Sequence, residues 1–160
     1  MMGFQNKVNL QQAPAIAGDF ASANPVISRL AGEGALVAGA DGVTVGLFAW
    51  VSGKLVSNAG SGAPAGFIHR ENQAAITTWL ADSSNLIPKG RPVTVHVAGD
   101  FWAKTLTNAT TGQKVFASTT TGEIKTDAAG ATVTGYVETA WKVASDASAG
   151  ELIKITTWGV

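Results

Sequence analysis

The side chains most able to do chemistry here are two histidines, His69 and His96, and eleven acidic residues. A histidine acts as a metal ligand or as a general base only with partners close by in space. His69 stands in His69-Arg70-Glu71, so Glu71 is its nearest candidate partner. Neither histidine lies in an HExxH, H-x-H or Gly-x-Ser-x-Gly context. Each reads instead as a strand residue on a polar face. Asp19, Asp41, Asp82, Asp100, Asp127 and Asp146 are scattered, mostly next to Gly, Ala or Ser, which is turn chemistry. No calcium loop is present. The Gly-rich stretch Asn58 to Gly66, NAGSGAPAG, lacks the Lys-Ser/Thr and the following helix of a phosphate-binding loop and reads as a surface loop. A carboxylate pair of glycosidase type needs only spatial proximity, but few acidic residues lie outside turn contexts. The reading is non-enzymatic, with no metal and no cofactor.

Five tryptophans, Trp50, Trp79, Trp102, Trp141 and Trp158, are many for 160 residues. Buried, they build a core. At a rim they mark a protein interface. Exposed together they would form a sugar-stacking platform.

The elements that carry these residues are strands. Val93, Val95 and Val97 alternate with Thr94, His96 and Ala98, the period of a strand with one buried face. Gly99-Asp100 interrupts the run, and Phe101-Trp102 follows at once. A glycine there suggests a corner or bulge, so Asp100, Phe101 and Trp102 are expected to form a structural corner that plugs one end of the core. The stretch Gly90 to Ser118 is expected to be the centre of the sheet, with Val115-Phe116-Ala117 as its next strand. Upstream, Asp41-Gly42 signals a hairpin turn between Ala35–Ala38 and a strand Val43–Val51. That strand is apolar on both faces, with Val43, Val45, Leu47, Ala49 and Val51 opposite Phe48 and Trp50. It is therefore central to a sandwich or touches another subunit.

Gly66–Arg70 reads as a short strand. Glu71–Asp82 fits either a helix or a strand. A short strand is expected around Glu123–Thr126. Thr132–Val143 and Leu152–Trp158 read as the last hairpin. Many short strands with Gly turns give an all-β fold, a single β-sandwich or β-barrel-like domain.

Residues 1–32 differ from this pattern. Polar Gln and Asn alternate with isolated apolar residues, and Pro14 and Pro25 interrupt any regular element. Disordered tails are usually poor in aromatic and aliphatic residues. Phe4, Val8, Leu10, Ile16 and Phe20 therefore favour an extended N-terminal arm that contacts a neighbouring subunit, followed by a β domain over 33–160.

Net charge is zero, and only 14% of residues are charged while 46% are hydrophobic. There is no basic footprint for nucleic acid and no polybasic membrane patch. No apolar run approaches the roughly 18 residues of a membrane span, and no export signal is evident. Cysteine is absent. Near-zero charge gives little protection from self-association, so much of the surface is expected to be covered by partners.

The segments GFQNKVNLQQAPAIAGDFASANP, LAGEGALVAGADGVTVGLFAWV, GFIHRENQAAITTWLA and PKGRPVTVHVAGDFWAKT followed by GQKVFA are, in this order, similar to the structural cement (capsid decoration) proteins of tailed bacteriophages. The resemblance spans nearly the whole chain. It implies a β-rich protein without catalysis that binds the outer surface of the icosahedral shell of a virion assembled in the host cytoplasm, and reinforces that shell. It also implies partners: the major capsid protein, whose subunits it would bridge, and neighbouring copies of itself as a trimer or dimer. A virion-surface carbohydrate-binding module and a tail-tube or tail-fibre subunit are the competing readings.

Overall fold

The protein, described by a computed structural model over residues 15–71 and 85–160, contains no helix among those residues. The strands in chain order begin with β1 (Ile27–Ser28), β2 (Val37–Ala38), β3 (Val43–Thr44), β4 (Phe48–Ser52), β5 (Leu55–Ser57) and β6 (Gly66–Phe67). They continue with β7 (Leu86–Ile87), β8 (His96–Ala98), β9 (Asp100–Lys104), β10 (Lys114–Ser118), β11 (Ile124–Asp127), β12 (Tyr136–Val143) and β13 (Leu152–Thr156). One sheet has the order β1-β8-β6-β4-β5-β2, and another the order β11-β10-β12-β13-β9. β3 and β7 form a small ladder of their own. The fold is all-β, and among the described residues no sheet closes on itself.

Two apolar clusters account for the double-faced pattern of β4. Phe48 and Trp50 point into a cluster with Phe67, Phe101, Trp141, Ile153 and Ile155. Ala49, between them, belongs to a second cluster with Val43, Val45, Val56, Ile68 and Val95, against which Val51 packs. Strand alternation sends successive side chains to opposite faces, so one strand serves two cores of the same chain. Phe67 and Ile68 divide in the same way. In the first cluster the rings meet tilted or edge-on. Phe48–Phe67 centroids lie 5.4 Å apart, Phe67–Phe101 5.2 Å and Phe101–Trp141 5.6 Å, within the range that favours aromatic pairs.

Several expectations are corrected. Gly90–Ser118 is not the centre of one sheet. β9 ends the five-stranded sheet and β8 lies next to the end of the six-stranded one, because the Gly99 corner passes the chain from one sheet to the other. The expected strand Val43–Val51 is broken at Gly46, whose φ of 77° lies in the left-handed region. Asp41-Gly42 does make a turn, with Gly42 N–H donating to Gly39 O. It does not close a hairpin, since β2 pairs parallel with β5 and β3 pairs with β7. Val93 and Val95 are buried as expected, yet Val97 is exposed and His96 is buried. Residues 91–93 pair with 36–38, and the chain changes partners to β6 and β1 at His96, so the strand phase is reset there. The long strand expected from Thr132 starts at Tyr136, after Gly135. The β12–β13 pairing is antiparallel, as a hairpin requires. The ambiguous segment 71–82 lies outside the described residues beyond Glu71.

Candidate interaction surface

The bent strand formed by β8, Gly99 and β9 has a companion. Residues 18–28 run antiparallel beside both halves of it. Along β9, Gly18 N–H donates to Trp102 O at 2.7 Å, Trp102 N–H to Asp19 O at 2.8 Å and Ala21 N–H to Asp100 O at 2.9 Å. Phe20 pairs with Phe101. Beyond the corner, Ile27 and Ser28 pair with Ala98 and His96. One segment thus covers the free edge of β9 and extends the other sheet past β8.

The corner itself is tight. Gly99 has φ 144°, and a Cβ there would lie 2.9 Å from Val26 Cγ1 and 3.0 Å from the Phe101 ring. Asp100 fastens the strap. Its carboxylate accepts from Ser22 Oγ and Asn24 Nδ2, both at 2.6 Å, and from Thr156 Oγ1. Burial pushes its pKa up, but the hydrogen bonds from Ser22, Thr156 and Asn24 outweigh that and hold it below the ordinary carboxylate value. Asp19 adds an ion pair with Arg70 at 3.4 Å, partly exposed and therefore weak. Phe101 is fully buried. Trp102 is half-buried, with Lys154 Nζ 5.2 Å from its ring.

The two histidines come together under this strap. Phe20 stacks on His69 with centroids 3.9 Å apart, and the His69 and His96 rings are 5.7 Å apart. His69 Nδ1 donates to Gly18 O at 2.6 Å. His96 Nδ1 meets Ser28 Oγ at 3.2 Å, while its buried Nε2 has no hydrogen-bond partner. Burial, helped by His69 and opposed by Glu71, lowers the His96 pKa to about 4. The polar-face expectation for His96 is therefore corrected: it is a neutral, packed ring. Among the described residues no three His, Cys, Asp or Glu side chains are grouped to hold a metal ion.

Outside the strap lies an apolar strip. Every residue from Ser22 to Leu30 is exposed. Val26 is among them, Ile27 is 48% exposed and Leu30 89%. Val97, Trp158 and Val160 are exposed as well, and Trp158 Nε1 donates to Pro25 O, which sets its ring beside the strip. Of the predicted arm residues, Ile16 is 51% and Phe20 44% exposed. Phe4, Val8 and Leu10 lie outside the described residues. Sequence reasoning missed Val26, Ile27, Leu30 and Val97, although Val26-Ile27 after Pro25 is a short β-branched run.

The tryptophans do not form a platform among the described residues. Trp50 and Trp141 are core residues. An open groove of about 430 Å³ runs beside Trp50, but Gly60 packs against that ring and the indole N–H donates to Gly62 O.

A family model for the XM1 gp53 minor capsid protein matches residues 4–157. The chain belongs to the XM1 gp53 minor capsid protein family. A chain of the solved capsid of Myoviridae phage XM1 has the same fold, with a TM-score of 0.61 at 17% identity over 98% of each chain. No curated protein matches significantly. Membership in the gp53 family makes this a structural protein of the virion, associated with the capsid shell, and bears out the likeness to phage capsid proteins read from its sequence.

Proposed function

We propose that this minor capsid protein is a cement. It binds the outer surface of the icosahedral shell and bridges major capsid subunits, with residues 33–160 as the β body and 1–32 as the contact-making segment. The observation that carries this reading is the exposed strip from Ser22 to Leu30. It holds Val26, Ile27 and Leu30 in water on a body whose cores are already complete without them. Exposed apolar patches of this kind mark interaction sites. Phe4, Val8, Leu10, Ile16 and Phe20 are assigned to the same contact, against capsid or a neighbouring copy. Asp100, Phe101 and Trp102 serve as the structural corner that holds the segment in place. Copies repeated over a symmetric shell would sum modest contacts into a strong one.

The test is to add purified full-length protein to shells assembled without it and follow their thermal disruption. Cement raises the disruption temperature in proportion to the copies bound. An unchanged temperature with protein bound would show attachment without reinforcement. Incorporation only during shell assembly would contradict binding to a finished outer surface.

A further inference from the structure

Net charge is zero over the whole chain, yet strand register gathers lysines on one face. In β9, β12 and β13 the residues packed into the core are Phe101, Ala103, Trp141, Val143, Ile153 and Ile155. Alternation therefore sends Lys104 of β9, Lys142 of β12 and Lys154 of β13 to the opposite face. All three are exposed. Lys142 pairs with Thr156, two residues from Lys154, and Lys104 pairs with Leu152, two residues from it on the other side. The three lysines thus form a diagonal row across adjacent strands, roughly 10 Å from the first strand to the third.

The described chain leaves this charge unanswered. Farther along the same face, Lys114 Nζ lies 3.9 Å from Glu138, and Asp127 stands opposite Lys114. Among the described residues no ion pair reaches Lys104, Lys142 or Lys154. Asp100 shares their part of the face, but its carboxylate is taken up by Ser22, Asn24 and Thr156. Lys142 also lies directly opposite Lys114, and like charges so placed destabilise a sheet. A charge that works against the fold points to a use outside it.

The row borders the strap. A hollow of about 180 Å³ is lined by Lys154 and Thr156 together with Ala21, Ser22 and Gly159. Row and strap therefore share one surface, and an apolar centre with a polar rim is the usual make-up of a protein interface. The lysines also select the partner's chemistry. An ammonium group is a point charge that suits single carboxylates, whereas the arginine fork suits phosphates. The uncharged chain as a whole lacks the long-range pull on polyphosphate that nucleic-acid binding uses.

We infer that Lys104, Lys142 and Lys154 are the basic rim of the shell contact and meet a carboxylate-rich patch on the major capsid protein. The inference rests on the cement reading proposed above and supplies the chemistry of the surface it meets.

The test compares full-length native protein with the triple variant Lys104→Gln, Lys142→Gln, Lys154→Gln in co-sedimentation with shells, at low and high salt. Exposed glutamines should leave the fold intact, which urea unfolding checks. At low salt the variant's shell affinity should fall roughly tenfold, and its salt dependence should flatten, since salt screens exposed charges. Lys54→Gln with Lys89→Gln, two exposed lysines outside this sheet, should change neither. Equal affinity and equal salt dependence in native and triple variant would overturn the inference and leave the cement reading standing. So would binding of a DNA duplex that the triple variant loses while its shell binding is unchanged, which would assign the row to phosphate. Native protein that binds no shell at any salt would remove the cement reading, and this inference with it.

Discussion

Phe20 lies stacked on His69, ring centroids 3.9 Å apart and 28° from parallel, while its backbone pairs with that of Phe101. This one residue joins the strap of residues 18–28 to both sheets at the level of the corner. The rest of the surface depends on that joint, because the exposed residues Val26, Ile27 and Leu30 hang from it.

Replacing Phe20 with Ala removes the stack on His69 and the ring contact with Phe101. An aromatic pair of this kind is worth about 0.5–1.5 kcal/mol beyond its area burial, and the ring is only partly buried. The expected loss is about 1–2 kcal/mol in urea unfolding. Amide exchange at Gly18 and Ala21, which donate to β9, should speed up more than exchange in β10 and β12. Uniform change across all strands would contradict a local joint.

Gly99 should not tolerate a side chain. Its φ of 144° is rare for other residues, and a Cβ would press on Val26 and Phe101. Gly99→Ala is expected to cost about 1–3 kcal/mol, read as a lower unfolding midpoint. Gly112→Ala is the comparison. It has φ 93° but open space around it, so the difference between the two isolates the crowding at the corner.

His96 gives the fold an acid sensitivity with a defined direction. Its pKa is 6.5 when unfolded and about 4 when folded, so the unfolded chain binds the proton more tightly. Its contribution is complete above pH 6.5 and is lost progressively as the pH falls toward 4. The facing groups are His69, Glu71, Ser28, Phe20 and Phe101. His96→Leu should flatten the stability–pH curve in that window, measured by denaturant unfolding at a series of pH values. An unchanged slope would show that the dependence arises elsewhere.

Asp100 acts at lower pH. Its folded pKa is depressed below 3.8, so its contribution is present above the unfolded value and lost as pH falls through the folded one. Asp100→Asn keeps the size of the side chain but not the charge that accepts from Ser22, Asn24 and Thr156. The variant should expose the Ser22–Asn24 turn to proteolysis at neutral pH, while the native chain is cut there only in strong acid. Equal resistance at neutral pH would contradict the role of the carboxylate.

Much of this could be read from residue types. The all-β class follows from alternation and turn residues, and the Gly99-Asp100 interruption marks a true change of direction. The two-faced pattern of Val43–Val51 signalled unusual burial, but not that two cores within one chain cause it. What alternation cannot show is where a ladder starts. The phase of Val93–Ala98 failed because the chain leaves its pairing with residues 36–38 and takes new partners at His96. The parallel β2–β5 pairing was hidden for a similar reason, since a turn signal says nothing about which strand the next one joins. The exposed strip was hardest to see. Val26, Ile27 and Leu30 fall within the 1–32 segment read as an arm, and it takes the place of β1 at the end of its sheet to show that they stay in solvent.

The central claim is best tested by co-sedimentation of the full-length chain with empty, expanded shells, beside Leu30→Asp and a chain lacking residues 1–14. The strap over residues 18–28 is kept intact in both variants, so a loss of binding reports on contact and not on folding. The account predicts saturable binding at a fixed ratio to the major capsid protein, weakened at least several-fold by each change. Folded native protein that stays in the supernatant at every ratio would contradict it.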